Sequence, residues 1–456
     1  MLAQKLHYPA PGLVEMDPAE LWRAIQQTID LALERAGLSA GDLAAVGITG
    51  QRSTVIVWER KSGRPLGPAI SWQDQRGAKR AQELQEKGFS INAIAAASKL
   101  ESTLDAIPDG RKRMLQGELA WGNVDSFLAW QMSGGALHVT DCSQACTTGY
   151  YDYYAARWDE KLLEVQGLDI SLFPALVDTV GVLGFTDRQV LGVEIPIGAI
   201  IGDQQSAAYA QGCLKPGDGK VTFGTSATCN VNTAAEIILN SLNAGIFPLV
   251  LWRRDGKITY CLEGMVITAG AVFGWLARGL KLIKDTSILA DVGASVPDSH
   301  GVFFLPAFQG LGAPHGQTKS YGTICGLTLG VTEAHIVRAA MEGIAFRVRE
   351  MIDRVYADSS LPRPPVLKVD GGAAANDVLM QIQANILGCP VQRMAPLEAT
   401  GYGAALLAGE VCGIWPRESP GTFKQTSRSF EPQWTEEMRN ARFDEWQRAW
   451  KISCNR

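Results

Sequence analysis

The sequence predicts an α/β protein with two domains, and three observations lead to this expectation. The chain has 456 residues, of which 46% are hydrophobic and 20% charged, which is enough for two hydrophobic cores. Strand-like and helical patterns alternate along it, as is typical of α/β architectures. Residues 215–220 combine Gly, Pro and Lys and are the most plausible boundary. We therefore expect domains at residues 1–212 and 213–456.

The first elements are a helix followed by two strands. Residues 18–36 have helical spacing of their apolar positions, and Asp17 before Pro18 is a favourable helix start. The apolar run 43–50 predicts a buried strand that ends in a glycine turn. Residues 54–59 predict the next strand. These elements begin the alternating pattern.

A second apolar strand leads into a polar helix start at Asp203. Residues 193–201 are apolar and β-branched, and they are followed by Gly202, Asp203 and a helix of small residues. Open α/β sheets place ligand-binding groups at such strand ends. A carboxylate there can accept a proton from a substrate hydroxyl, although Asp is also a favoured helix cap. Both interpretations of Asp203 remain open from this motif.

Two glycine turns are candidates for binding an anion. Residues 221–228 predict a strand, a turn at Gly224-Thr225-Ser226 and a second strand. The strand at 366–369 runs into Asp370-Gly371-Gly372 and a helix at 376–387. Paired glycines let the backbone approach a ligand closely, and a helix start offers free amides to phosphate. Each motif is also compatible with an ordinary structural turn.

Charge and composition exclude several functional classes. The net charge of -5 and the pI of about 5.7 disfavour nucleic acid as a partner, because phosphate backbones are bound by clustered basic residues. No apolar run reaches the roughly 18 residues of a membrane-spanning helix, and the first residues do not form a secretory signal. We therefore expect a cytoplasmic protein. The P-loop pattern Gly-x-x-x-x-Gly-Lys-Ser/Thr is also missing.

The nine cysteines predict buried free thiols rather than a disulfide framework. Their number is odd and their spacing irregular. Cys142 and Cys146 could begin a metal site, but no second pair and no nearby His completes four ligands.

Taken in order, these segments resemble the FGGY family of carbohydrate kinases, and within that family the glycerol kinases. The resemblance covers almost the whole chain, and many segments agree in order. The matching segments are Gly47 to Arg52, Ser71 to Arg76, Val124 to Trp130, His138 to Asp141, Gly202 to Gln205, Phe223 to Thr225, Pro306 to Pro314, Cys325 to Thr328 and Val369 to Asn376.

The resemblance implies a two-domain, actin-like ATPase fold (ribonuclease H-like), with the active site in the cleft between a substrate-side first domain and a nucleotide-side second domain. It implies ATP-dependent phosphorylation of a hydroxyl of glycerol or a related polyol or sugar, with Mg²⁺ bridging the phosphates. Asp203 is then the general base and lies near the metal. The other residues implied are Arg52, Ser53, Trp72, Gln204 and Thr228 for the substrate, and Thr225, Gly270, Gly274, Gly372 and Asn376 for the nucleotide.

The chain departs from the family pattern at its start. The family opens with a strand carrying Asp-x-Gly-Thr and a hairpin that contacts the ATP phosphates, and residues 1–12 show no such segment. Losing one preorganised donor of this kind costs on the order of 10² to 10³ in rate. We therefore expect a first domain that is truncated at its start, either because the true start codon lies upstream or because the gene is a degraded copy. A catalytically impaired or silent relative is the alternative to an active kinase.

Four further departures concern the ligands. Glycerol kinases have Glu where Ser53 stands, an aromatic residue at Thr228, Tyr at Ile94 and a nucleotide-contacting Gln at Gly274. The space left by Ser53 and Thr228 would suit a larger polyol or a ketose such as xylulose. Arg52 favours the glycerol side, because xylulose-type kinases tend to have Met-His at that point. Family members often form dimers or tetramers, so a homo-oligomer is possible.

Overall fold

The computed structural model describes residues 4–239, 242–317, 320–395, 398–417 and 425–454. The chain divides into two compact units. Unit 1 comprises residues 1–206, 250–258 and 404–417, and unit 2 comprises residues 207–249, 259–403 and 418–456. Residues 250–258 and 404–417 thus pack with the first unit, although they follow the expected boundary in sequence.

The elements up to the start of α9 belong to unit 1. They are β1 (Glu15–Met16), α1 (Pro18–Ala36), β2 (Val46–Gly50), β3 (Ile56–Glu59), β4 (Ala69–Ile70), α2 (Ala78–Glu86), α3 (Leu100–Asp105), α4 (Gly110–Leu115), β5 (Leu119–Gly122), α5 (Val124–Met132), β6 (Val139–Asp141), α6 (Cys142–Ala145), β7 (Tyr151–Asp152), β8 (Arg157–Trp158), α7 (Glu160–Gln166), β9 (Ala175–Val177), β10 (Val180–Phe185), α8 (Arg188–Leu191), β11 (Pro196–Gly202) and α9 (Asp203–Ala210).

The later elements lie mainly in unit 2. They are β12 (Gly219–Phe223), β13 (Ala227–Ala234), β14 (Ile246–Arg254), β15 (Lys257–Val266), α10 (Ala271–Arg278), α11 (Leu289–Ala294), β16 (Phe303–Leu305), β17 (Thr323–Cys325), α12 (Glu333–Ser359), β18 (Leu367–Asp370), α13 (Asp377–Leu387), β19 (Val391–Ala395), α14 (Ala399–Val411), β20 (Gln425–Phe430) and α15 (Glu436–Cys454). Short 3-10 turns lie at Ala40–Asp42, Ala96–Ser98, Ile170–Leu172, Leu242–Ala244, Thr286–Ile288 and Gly372–Ala375.

Helix α1 begins and ends where the sequence predicts. The Asp17 carboxylate accepts hydrogen bonds from the backbone N–H groups of Ala19 and Glu20 at 2.8 and 3.3 Å, and Gly37 closes the helix in the left-handed conformation. These contacts satisfy backbone groups that a helix end leaves free. The apolar face of α1 packs on the core of unit 1 through Leu21 and Ile25.

In unit 1 a three-stranded sheet in the order β10-β11-β2 positions the candidate site. Strands β2 and β11 are parallel, and their last residues, Gly50 and Gly202, are register partners. Each strand is slightly shorter than the sequence predicts. Residues 43–45 stay outside β2, and β11 begins only at Pro196.

Unit 2 is built on a seven-stranded sheet in the order β14-β15-β13-β12-β18-β19-β20. The 27-residue helix α12 supplies much of its core, including Ile344, Phe346 and Val348. Helix α15 also joins this core, because Trp446 is 1% exposed and stacks on Phe346 with ring centroids 5.2 Å apart.

The eight cysteines whose side chains the structure describes are free thiols, as predicted, and five of them are buried. Cys325 and Cys389 are half-buried and Cys412 is exposed, so burial is wrong for Cys412. The side chain of Cys454 lies outside the described residues.

Candidate functional site

The parallel pairing of β2 and β11 brings Arg52 and Asp203 together. Each residue follows the carboxyl end of its strand, and the two ends are in register at Gly50 and Gly202. The Arg52 Nε atom lies 3.2 Å from Asp203 Oδ1. Carboxyl ends of neighbouring parallel strands are where open α/β sheets bind ligands. This ion pair therefore lies at a position suited to substrate binding.

Asp203 is partly open to solvent and is also the first residue of helix α9. Its side chain is 30% exposed, whereas that of Arg52 is 14% exposed. The backbone N–H of Gln204 donates to Asp203 Oδ1 at 2.7 Å. The carboxylate therefore contacts both the helix start and the guanidinium, so capping does not account for all of its contacts.

A buried hydrogen-bond chain supports the end of β11. The backbone N–H of Gly202 donates to Ser143 Oγ at 2.8 Å, and that hydroxyl donates to Asp141 Oδ1 at 2.8 Å. Thr179 Oγ1 donates to the other Asp141 oxygen at 2.7 Å. These groups hold the backbone next to Asp203 in place. Sequence reasoning gave Asp141 and Ser143 no role, although residues 138–141 are one of the segments that carry the family resemblance.

A second buried carboxyl group, Asp125, lies near this chain. Thr140 Oγ1 donates to Asp125 Oδ2 at 2.6 Å, while Asp125 Oδ1 has no hydrogen-bond partner. Burial raises the pKa of Asp125 to about 7 and that of Asp141 to about 6, because a carboxylate is poorly solvated in the interior. The negative charge of Asp141 raises the pKa of Asp125 further.

The buried Asp125 should make stability depend on pH. Its folded-state pKa of about 7 exceeds the ordinary 3.8, so between these values the folded state binds more protons than the unfolded state. We expect the free energy of unfolding to fall as pH rises through this window, and Asp125→Asn to remove a change of about 4 kcal/mol. Urea unfolding at several pH values measures this. The exposed Asp30→Asn should leave the profile unchanged, and an unaltered profile in Asp125→Asn would contradict the assignment.

The other expected substrate residues of unit 1 differ in the exposure and hydrogen bonding of their side chains. Trp72 and Gln204 are half-buried. Ser53 is 5% exposed, with a left-handed backbone at φ 58°. Its hydroxyl donates to the backbone oxygen of Thr147 at 2.6 Å. Ser53 therefore supports the loop after β2, and its proton is already engaged within the protein.

In unit 2 the structure brings two of the expected nucleotide residues together at one turn. The backbone N–H of Gly270 donates to Gly224 O at 3.0 Å, and that of Ala271 to Thr225 O at 3.2 Å. A Cβ atom on Gly270 would lie 2.4 Å from Gly224 O and 3.3 Å from the Ala373 Cβ. Only glycine therefore allows the start of α10 to approach the 224–226 turn so closely.

The Gly371-Gly372 turn lies beside the same strand end. Gly371 has φ 89°, and a Cβ there would lie 2.6 Å from Phe223 O. At Gly372, by contrast, a Cβ would meet nothing within 4 Å. This leaves open space above the backbone, and a ligand could approach it.

Of the remaining nucleotide residues, Asn376 precedes a helix and Gly274 lies within one, whereas Thr228 lies on a strand. Asn376 caps α13, accepting from the Leu379 N–H at 3.0 Å. Gly274 lies within α10, where an added Cβ would meet the end of the Arg278 side chain. Thr228 lies on β13, is 6% exposed and pairs with Thr222.

The donors that the structure describes suit a magnesium ion whose other ligands are substrate phosphates and water. Within the part of the chain that the structure describes, no group of three or more His, Cys, Asp or Glu side chains could hold a metal ion. Mg²⁺ commonly uses one or two carboxylates, with water and substrate phosphates as its other ligands. The half-exposed Asp203 carboxylate meets that requirement.

The fold and these turns define a class of protein, the carbohydrate kinases with the two-domain, actin-like ATPase fold. Residues 2–210 match the model of the N-terminal domain of the FGGY family of carbohydrate kinases, and residues 219–410 match its C-terminal domain. The chain belongs to the FGGY family. The family expected from the sequence is thus confirmed, together with the fold and with ATP-dependent phosphoryl transfer as the reaction class.

Similar proteins include several glycerol kinases. The glycerol kinase of Aromatoleum aromaticum is 44% identical over 454 residues, which cover 97% of this chain and 91% of that protein. Glycerol kinase 2 of Thermotoga maritima is 39% identical, with the same coverage. The solved structure of Plasmodium falciparum glycerol kinase with ADP is 28% identical, with a TM-score of 0.90, and covers 100% of this chain and 93% of its own.

A xylulose kinase from Lactobacillus acidophilus shares the fold at 22% identity, with a TM-score of 0.81 and coverage of 99% and 91%. Among the described residues of this chain, no helix combines the length and apolar character needed to cross a bilayer.

Proposed function

We propose that this kinase transfers the terminal phosphoryl group of ATP to a hydroxyl of glycerol or a closely related polyol. The observation that carries the proposal is the Arg52–Asp203 pair, 3.2 Å apart at the carboxyl ends of two parallel strands. The glycerol kinases of similar sequence support this choice of acceptor. We assign acceptor binding to the domain of residues 1–212 and nucleotide binding to that of residues 213–456.

In this mechanism Asp203 accepts the proton of the attacking hydroxyl. As the new O–P bond forms, the bond to the departing ADP breaks and the hydroxyl proton moves to the carboxylate. General-base assistance of this kind contributes on the order of 10² to 10⁴ in rate. The contact with Arg52 orients the Asp203 carboxylate before the acceptor arrives.

The neighbouring side chains then select the acceptor. The Arg52 guanidinium carries several N–H donors, which suits it to bind acceptor hydroxyls. Trp72 offers an apolar surface to the carbon chain, and Gln204 offers a further polar group. Because the Ser53 hydroxyl is engaged by Thr147, Ser53 contributes through the shape of its loop rather than as a donor to the substrate.

On the nucleotide side, backbone groups do most of the binding. We assign the ATP phosphates to the turn at Thr225 and Gly270 and to the open backbone at Gly372, with Gly274 and Asn376 as neighbouring contacts. A magnesium ion, when bound, neutralises phosphate charge in the transition state, and Asp203 is the residue that would hold it.

An acceptor panel tests the proposal. ADP release would be measured for the full chain with ATP and each of glycerol, erythritol, xylitol, D-xylulose and D-ribulose. We expect glycerol to give the highest kcat/KM. Turnover of a ketose without turnover of glycerol would contradict the proposed acceptor but not the assignment of the protein as a kinase. ADP binding with no turnover of any acceptor would instead favour a catalytically silent relative.

A further inference from the structure

Lys99 is a fully buried charged residue that lies outside the site described above. It immediately precedes α3 and has 0% exposure. Its Nζ atom donates hydrogen bonds to three backbone carbonyl oxygens, those of Ser71 at 3.0 Å, Ile94 at 3.1 Å and Ser53 at 3.4 Å. A protonated amine has three N–H donors and no acceptor. The number of carbonyls therefore matches the charged form of the side chain.

These three carbonyls belong to separate loops, each of which bears on acceptor binding. Ser53 follows Arg52 in the loop after β2, and Ser71 precedes Trp72 in the loop after β4. Ile94 is the residue that stands in place of the tyrosine of the glycerol kinases. One side chain therefore ties together the backbone of three loops that are distant in sequence.

We propose that Lys99 is a positioning residue for the acceptor, holding the loops of Arg52, Trp72 and Ile94 in the arrangement that binds it. The proposal rests on the proposed function and adds to it a residue that touches no substrate. Without the ammonium group, the carbonyl oxygens of Ser53, Ser71 and Ile94 each lose a donor, although that of Ser71 keeps the Asp74 N–H, and a desolvated group left without a partner is costly. The loops would then move apart to solvate them, and the acceptor contacts would move with them.

The charge state of Lys99 makes the arrangement sensitive to pH. Burial lowers the pKa of Lys99 to about 7, while Asp74 acts to raise it and Arg76 to lower it. Asp74 is itself held by the Arg76 guanidinium and by the N–H of Val14. A neutral amine keeps two donors and directs a lone pair at a carbonyl, so deprotonation weakens the link. Acceptor binding should therefore weaken as pH rises through about 7.

The test compares Lys99→Met with a matched surface variant, Lys79→Met, whose lysine side chain is 90% exposed. With the acceptor that wild type uses best, we expect Lys99→Met to raise the acceptor KM about tenfold or more and to leave the KM for ATP unchanged. Lys79→Met should match wild type in both. A role in stability alone would lower Tm and the active fraction without changing the acceptor KM, and that result would overturn the proposal.

A pH series on wild type decides the question even if Lys99→Met does not fold. The acceptor KM of wild type should rise between about pH 6 and pH 9, relative to the KM for ATP. In Lys99→Arg, whose guanidinium stays protonated, the acceptor KM should be independent of pH. A flat wild-type profile would overturn the proposal. Absence of turnover in wild type would contradict the proposed function, whereas turnover with an unchanged acceptor KM in Lys99→Met contradicts the Lys99 role alone.

Discussion

Asp203→Asn should lower kcat by about 10² to 10⁴ while leaving the fold intact. An amide cannot accept the hydroxyl proton, but it has nearly the same shape as the carboxylate. The side chain is 30% exposed and its ion pair with Arg52 is partly solvated, so its loss should change the free energy of unfolding by about 1 kcal/mol or less. Steady-state ADP release and thermal unfolding of the same preparation measure both quantities.

The matched control is Asp255→Asn. Asp255 also pairs with an arginine, Arg417, but both side chains are more than half exposed, and neither is assigned to the site. This variant should retain wild-type turnover. If Asp203→Asn kept wild-type kcat, the general base would have to be another group, and the mechanism above would be wrong.

Gly270→Ala should raise the KM for ATP about tenfold or more, with little effect on the KM of the acceptor. The new Cβ would lie 2.4 Å from Gly224 O, a distance that backbone atoms cannot tolerate. The 224–226 turn must therefore shift, and the backbone groups assigned to the phosphates shift with it. Kinetics with ATP as the varied substrate measure the change.

Gly67→Ala is the control for the added methyl group, because a Cβ at Gly67 would meet nothing within 4 Å. It should leave both KM values unchanged. An unaltered KM for ATP in Gly270→Ala would exclude the 224–226 turn from nucleotide binding.

Local patterns predicted much of the fold because they depend on neighbouring residues. The start of α1 at Pro18, the start of α9 at Asp203 and the end of α13 at Leu387 agree with the sequence. The strand predicted from residue 54 begins at Ile56 instead, after a left-handed backbone at Ser53. A serine gives little sign of such a conformation, which here accompanies a hydrogen bond from the Ser53 hydroxyl to the Thr147 backbone oxygen.

The candidate site was predictable only in part, because its contacts join distant segments. Spacing alone could not pair Arg52 with Asp203, since the pairing depends on the register of β2 and β11. The family resemblance supplied both residues. Asp141 and Lys99 were missed because a buried polar residue looks like a surface residue in sequence. For Lys99 a signal was present, since it follows the small residues 95–98, which favour burial.

The register of Gly50 with Gly202 also has a consequence for synthesis on the ribosome. The two strand ends lie about 150 positions apart, and contacts of such long range form late in folding. Arg52 leaves the ribosomal exit tunnel first and cannot pair with Asp203 until that residue has also left the tunnel. A nascent chain stalled before that point therefore lacks the Arg52–Asp203 pair that we propose binds the acceptor.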